Sequence, residues 1–145
     1  MFDKLDSRSV KAILAAQQEA RRHGHRYVDV EQLLLGLSAD ENGLPRRALL
    51  ALGLKRDDLR RKIHEQLGEG DDYVGMEAPF TDRMNALMEL AWANCKKDKA
   101  EQIAPEHLLV ACALVENGVL SEIFSQAGIN SAGLAAAIEN EKNRE

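Results

Sequence analysis

Aromatic residues are scarce in this chain of 145 residues, with one Trp, two Tyr and three Phe. Leu, Ala and Ile must therefore fill any core, and they suit packed helices better than sheets. No apolar run approaches the ~18 residues of a membrane span. The opening Met1-Phe2-Asp3-Lys4-Leu5-Asp6 also lacks the apolar region a signal peptide carries. The expectation is an all-α, soluble and cytoplasmic protein. Only two cysteines occur, Cys95 and Cys112, both inside helical patterns and without CxxC spacing. They read as buried free thiols rather than a redox pair or a metal site. A GxxxxGK[ST] loop for nucleotide phosphate, a Ser-His-Asp constellation and a nucleophile elbow are missing. So are the inward carboxylates with ExxH pairs that a metal-dependent helical bundle uses. The chain reads as no enzyme, with no cofactor.

What the chain does have is an internal repeat. A shift of 75 positions lays Glu31, Leu33 and Leu34 on Glu106, Leu108 and Leu109, and Glu41-Asn42-Gly43 on Glu116-Asn117-Gly118. The same shift matches Arg8 with Arg83, Ala16 with Ala91, Leu59 with Leu134 and Ile63 with Ile138. These identities fall on core and turn positions.

Each half reads as four helices. The first spans Ser7 to His23, with Val10, Ile13, Leu14, Gln17 and Ala20 at helical spacing and Gly24 to end it. Asp29 is a good N-cap and Gln32 completes a capping box for the second, Glu31 to about Ala39, which is apolar nearly all round and so belongs at the centre of its half. A short third helix begins at Pro45, with Ala48, Leu49 and Leu52 on its apolar side before Gly53. Leu54, Leu59, Ile63 and Leu67 mark the fourth, closing near Gly68. The second half repeats the order: Thr81 to about Asp98, Pro105 to about Glu116, about Leu120 to Ala127, and Asn130 to about Asn140. Pro105 suits a first helical position, where its missing N–H costs nothing. Glu69 to Pro79 has Gly, Asp and Pro without a period, so the expected division is a first repeat 1–68, a linker 69–79 and a second repeat 80–145, forming one compact domain.

Charge is uneven. Residues 1–68 hold 13 Lys and Arg against 10 Asp and Glu, whereas 69–145 hold 6 against 14. The net charge of -5 disfavours general nucleic-acid binding, although Arg56, Arg60, Arg61 and Lys62 form a basic patch that a helix-turn-helix would use. His23-Gly24-His25 suggests a metal, but no further ligand is spaced in sequence to complete a set, His64 and His107 stand alone, and the segment reads as a helix-ending turn. Apolar residues Val119, Leu120, Ile123, Phe124, Tyr73 and Val74 read as core before they read as a partner groove. For Glu31 and Glu106, each in the first turn of a helix, two readings stand. One is stabilisation of the helix dipole; the other is a carboxylate that receives a guanidinium, with a helix N-terminus near for an attached phosphate.

Leu5-Asp6-Ser7-Arg8, the segment from Glu19 to Val28, and Glu31-Gln32-Leu33-Leu34-Leu35-Gly36-Leu37 resemble the amino-terminal domain of ClpC-type Clp unfoldases. Phe80-Thr81-Asp82-Arg83 and Pro105-Glu106-His107-Leu108-Leu109 resemble that family's second repeat. The resemblance covers nearly the whole chain. It implies two tandem four-helix repeats with pseudo-twofold symmetry, a domain that sits above a AAA+ ring and docks adaptor proteins and client polypeptides. It departs at Lys96 to Gln102, where the family keeps a Leu-Gly-His turn, and at Asp29. Relatives that recognise phosphoarginine use a Thr and a Glu from each repeat, which implies the candidate binding residues Asp6 with Glu31 and Thr81 with Glu106. Asp6 would add negative charge beside a phosphate, which sets the first pair apart. The expected role is a non-catalytic module for a Clp unfoldase or protease, with no metal, nucleic-acid or membrane partner. The alternative is a free-standing accessory subunit of the Clp protease, favoured by the short chain and the drifted motifs. The plastid stroma replaces the cytoplasm if the source is a plant.

Overall fold

A computed structural model describes residues 2–70, 78–116 and 118–145. After a 3-10 turn at Phe2–Lys4 come α1 (Ser7–Arg22), α2 (Val30–Leu37), α3 (Leu44–Ala51) and α4 (Arg56–Leu67). Then follow α5 (Asp82–Lys97), α6 (Pro105–Leu114), α7 (Val119–Gln126) and α8 (Ser131–Lys142). No strand forms among the described residues, where only isolated bridges occur. No single helix among them is long and apolar enough to cross a membrane. Helix ends fall within about two residues of the sequence expectations because caps mark them. The Asp6 carboxylate accepts from Ser9 N–H at 2.8 Å, and Asp29 N–H donates to Gln32 Oε1 at 2.9 Å. Asn130 Oδ1 accepts from Gly133 N–H at 2.7 Å.

One core runs through both halves. Leu33, Leu34, Leu49 and Leu59 from the first meet Leu108, Leu109, Leu120 and Leu134 from the second, all fully buried. Every residue of α2 is buried, as its all-round apolarity predicts. Cys95 and Cys112 are buried free thiols. For Cys112, burial pushes the thiol above its ordinary value and keeps it unreactive. Leu120, Ile123 and Phe124 are core as well; Tyr73 and Val74 lie outside the described residues.

The buried face of α1 differs from the expected one. Val10 is 38% and Leu14 53% exposed, while Ser9 and Glu19 are buried beside Ala12, Ile13, Ala16 and Ala20. Long-range polar partners turn the helix. Ser9 Oγ donates to Ile103 O at 2.8 Å. Glu19 Oε1 takes Arg22 and Arg56, each at 3.4 Å, and Arg60 as well. Arg56 and Arg60 of the basic patch thereby share one buried carboxylate with Arg22, and Arg61 pairs with Asp58 and Glu65 along α4. Three of the four patch residues thus serve ion pairs within the fold.

The turn after α5 survives the loss of its glycine. Gly24 follows α1 at φ 70°, and its counterpart Lys99 adopts φ 59°, the one non-glycine residue with positive φ among those described. Matching backbone bonds close both turns, His25 N–H to Ala20 O and Ala100 N–H to Cys95 O.

Candidate functional site

The two halves are interlocked at their helix starts. Leu5 bridges Ile103, and Phe80 bridges Val28. Asp6 N–H donates to Ile103 O at 3.0 Å, and Thr81 N–H to Val28 O at 3.1 Å. Each pair maps onto the other under the 75-residue shift. The first helix of each half is thus pinned against the turn preceding the second helix of the other half. This corrects the pairing expected within repeats: the seams join Asp6 with Glu106 and Thr81 with Glu31. Local spacing carries no information about that exchange.

The seam at Glu31 is closed. Thr81 caps α5 by accepting from Met84 N–H at 3.1 Å, and its hydroxyl donates to Asp29 Oδ1 at 2.9 Å. Arg83 donates through Nη2 to Glu31 Oε1 at 3.0 Å, with its Nε 3.6 Å from Asp29 Oδ1. Its guanidinium also packs on Gly118, where a Cβ would come within 2.5 Å of Nη1. Glu31 is 2% exposed and its second oxygen has no hydrogen-bond partner. Burial first, then the Asp29 charge, raises its carboxyl above the ordinary carboxylate value, with Arg83 opposing. Sequence reading paired Arg83 with Arg8 as a repeat identity and missed this role. Two carboxylates two residues apart, Asp29 and Glu31, were the available signal.

The seam at Glu106 is open. Asp6, Arg8, Lys11, Asp40, Glu106, Lys142 and Glu145 give the charged part of the wall of a cavity of about 780 Å³, completed by apolar groups of α1, α2 and α3 and by Pro105. Ala104 stands where the first half has Asp29, while Asp6 stands where the second half has Thr81, so the acid two residues before the glutamate is missing from this seam. Arg8 is exposed. Glu106 Oε2 accepts instead from Lys142 Nζ at 2.8 Å, and this bond is the largest cause that raises the lysine above its ordinary value. The last turn of α8 is held over the cleft by Lys142 on Glu106 and by Arg47 on Glu145. The 75-residue shift sets Leu67 opposite Lys142, so the repeat comparison does not reveal the lysine. Both glutamates do serve helix starts, yet each also holds a cation; the dipole reading alone does not cover them.

Behind α6, His107 is buried and takes the place of Gln32. Its Nδ1 accepts from Ala104 N–H at 2.9 Å, which leaves Nε2 to donate to Asp98 Oδ2 at 3.1 Å. Away from both seams, His23, His64 and Glu69 converge. His64 is therefore not a singleton: the fold supplies the neighbours that spacing in the sequence did not.

Two four-helix halves locked through exchanged helix starts define a class, the tandem helical repeat domain with a charged seam on each side. Residues 4–127 and 79–145 match the Clp repeat (R) N-terminal domain, and the chain belongs to that family. It is 33% identical over 138 residues to the ATP-dependent Clp protease ATP-binding subunit ClpA homolog of Cyanidium caldarium, covering 95% of this chain and 16% of that one. It is 30% identical to the chloroplastic chaperone protein ClpC2 of Oryza sativa subsp. japonica, covering 95% and 15%. The chain thus spans about a sixth of the length of these curated relatives. Among solved structures, the N-terminal domain of the caseinolytic protease associated chaperone ClpD from Arabidopsis thaliana superposes with a TM-score of 0.76 at 26% identity, covering 97% of this chain and 99% of that one. A ClpV N-domain in complex with a VipB peptide shares the fold, with a TM-score of 0.75 at 19% identity over 94% and 88% of the two chains.

Proposed function

We propose that this chain is a non-catalytic protein-binding module that docks adaptors or client polypeptides for a Clp AAA+ unfoldase or protease through the open seam. The carrying observation is Glu106: a half-buried carboxylate in a cavity, held by a lysine on a helix end. A basic side chain of a partner replaces Lys142 without leaving Glu106 unpaired, and a guanidinium improves on the ammonium because it bonds in two directions. Family membership supports the reading, as does a peptide seated on the same fold in the ClpV N-domain. Residues 1–68 and 80–145 then act as two repeats of one domain joined by 69–79, in the cytoplasm or, in a plant, the plastid stroma.

Arginine-phosphorylated clients are a second form of the same partner. Arg8 and Lys11 line the cleft with Glu106 and offer cations to a phosphate, against the carboxylates of Asp6, Asp40 and Glu145. At the other seam Thr81 already serves Asp29 and Met84, and Glu31 already serves Arg83. The open seam is therefore the site for either form.

Capture from native extract tests the proposal, with the chain and its Glu106→Gln variant as paired baits. The expected result is recovery of Clp subunits, adaptors or clients by the first and loss by the second at unchanged melting temperature. Equal recovery by both removes Glu106 from the site. A free-standing accessory subunit, the alternative role, predicts recovery of Clp subunits with no client chains.

A further inference from the structure

The ends of α1 and α4 are brought together by two glycines in close backbone approach. Gly70 N–H donates to His23 O at 2.7 Å, and a Cβ on Gly70 would lie 2.1 Å from Gly24 O. Gly24 and Gly68 both take positive φ, 70° and 68°, and His25 Nε2 bonds to Gly68 O at 3.2 Å. Four independent local features thus fix the position of His23, at the end of α1, against His64 and Glu69, at the end of α4.

The outcome is a set of metal-ligand atoms. His64 Nε2 lies 3.1 Å and His23 Nδ1 3.6 Å from Glu69 Oε1, and the three ligand atoms fall within 4.8 Å of one another. A tetrahedral ion with bonds of ~2.0–2.1 Å needs ligand separations of roughly 3.3 Å, so small side-chain adjustments suffice. A second feature points the same way. His23 turns its far nitrogen, Nε2, toward Glu19 Oε2 at 3.9 Å. That oxygen is buried and has no hydrogen-bond partner, on a side chain only 5% exposed. A carboxylate behind an imidazole fixes the ring nitrogen that faces the metal and strengthens it as a donor.

We infer that His23, His64 and Glu69 form a site for a divalent transition metal of the zinc class, with the fourth position open. His64 is 40% and Glu69 63% exposed, so the ion reaches the site and the fourth ligand is water or a partner's side chain. The surroundings choose the class. Arg22 and Arg60 both lie on Glu19, next to His23. Hard ions such as Mg²⁺ or Ca²⁺ depend on surplus carboxylate charge and find little here, whereas zinc, nickel or copper bond well to two imidazoles and one carboxylate. The second half has no counterpart: Asp98, Glu139 and Arg144 stand where the shift places His23, His64 and Glu69. Only the first half carries the metal.

Zinc chloride titrated into the metal-free chain by calorimetry is the test, with magnesium chloride as the control ion and His64→Gln and Glu69→Gln as variants. Circular dichroism confirms that each variant keeps the helical fold, and both positions are exposed enough to change without unfolding it. The expected result is one zinc ion per chain, no measurable heat with magnesium, and at least tenfold weaker zinc binding in His64→Gln and Glu69→Gln. A rise of several degrees in melting temperature on adding zinc, absent in His64→Gln, is the second expected readout. Zinc binding equal in the chain and in His64→Gln, or no binding at hundredfold excess, overturns the assignment.

Discussion

The two seams are built from the same chain positions, yet one is sealed and the other is a cleft. At the sealed seam Asp29 and Glu31 together draw Arg83 inward, onto Gly118. At the open seam Ala104 replaces the aspartate, Asp6 takes the place of Thr81, and Arg8 stays exposed. The placing of the second acid changes the balance: Asp29 stands beside Glu31 and both face Arg83, whereas Asp6 caps α1 by accepting from Ser9 N–H, and Arg8 is not drawn inward. Lys142 fills the vacant partnership from the last turn of α8, on a side chain that is 36% exposed. A duplicated fold has thus closed one seam as a structural joint and left the other as a cleft.

Changes that exchange the two halves' residues test this contrast. The largest effect is expected from Gly36→Ala, which copies Ala111 of the second half. The new Cβ would meet the backbone of α1, 2.3 Å from Ala12 O and 2.8 Å from Ala16 N. Overpacking against backbone costs ~3 kcal/mol, offset by ~1 kcal/mol of helix propensity, for a net loss of about 2 kcal/mol in urea unfolding. Arg83→Ala leaves Glu31 buried without its cation. Partial exposure of Arg83 moderates the cost to about 1–2 kcal/mol, while Arg8→Ala at the open seam changes stability by less than about 0.5 kcal/mol. Equal costs for the two arginines would contradict the asymmetry.

Glu31→Gln probes the same joint through pH. Because the folded state raises the Glu31 carboxyl, it holds that proton more tightly than the unfolded chain. The group's stabilising contribution is fully present below the ordinary carboxylate pKa and is lost as pH rises through the raised one. The amide variant escapes that loss, so its Tm exceeds that of the parent at about pH 7, and the gap narrows toward about pH 4. The smallest effect is expected from Lys99→Gly, which restores the residue found at Gly24. Relief of the left-handed backbone outweighs the extra freedom of the unfolded chain, giving a gain of about 0.5–1 kcal/mol by thermal melting.

The helices were legible in the sequence because their signals are local. Asp29 with Gln32, Pro105 and the glycines at 24, 53 and 128 mark ends by backbone chemistry, and α2 declares its burial by being apolar on every side. The 75-residue shift located both glutamates. What stayed hidden depends on contacts between distant segments. Ser9 and Glu19 look like surface residues until Ile103, Arg56 and Arg60 are placed beside them. The crossing of Asp6 to Glu106 and of Thr81 to Glu31 is a property of how the halves interlock, which no period within either half encodes. His64 and Glu69 gain meaning only when Gly24 and Gly70 touch.

Docking at the open seam is tested most directly by titrating a fluorescently labelled, arginine-bearing unstructured peptide into the chain, Glu106→Gln and Glu31→Gln, and following anisotropy. Loss of a charge-assisted pair of ~1.5 kcal/mol or more corresponds to about tenfold in Kd. The expected result is at least that weakening for Glu106→Gln and parent affinity for Glu31→Gln. Parent affinity for Glu106→Gln would contradict the account.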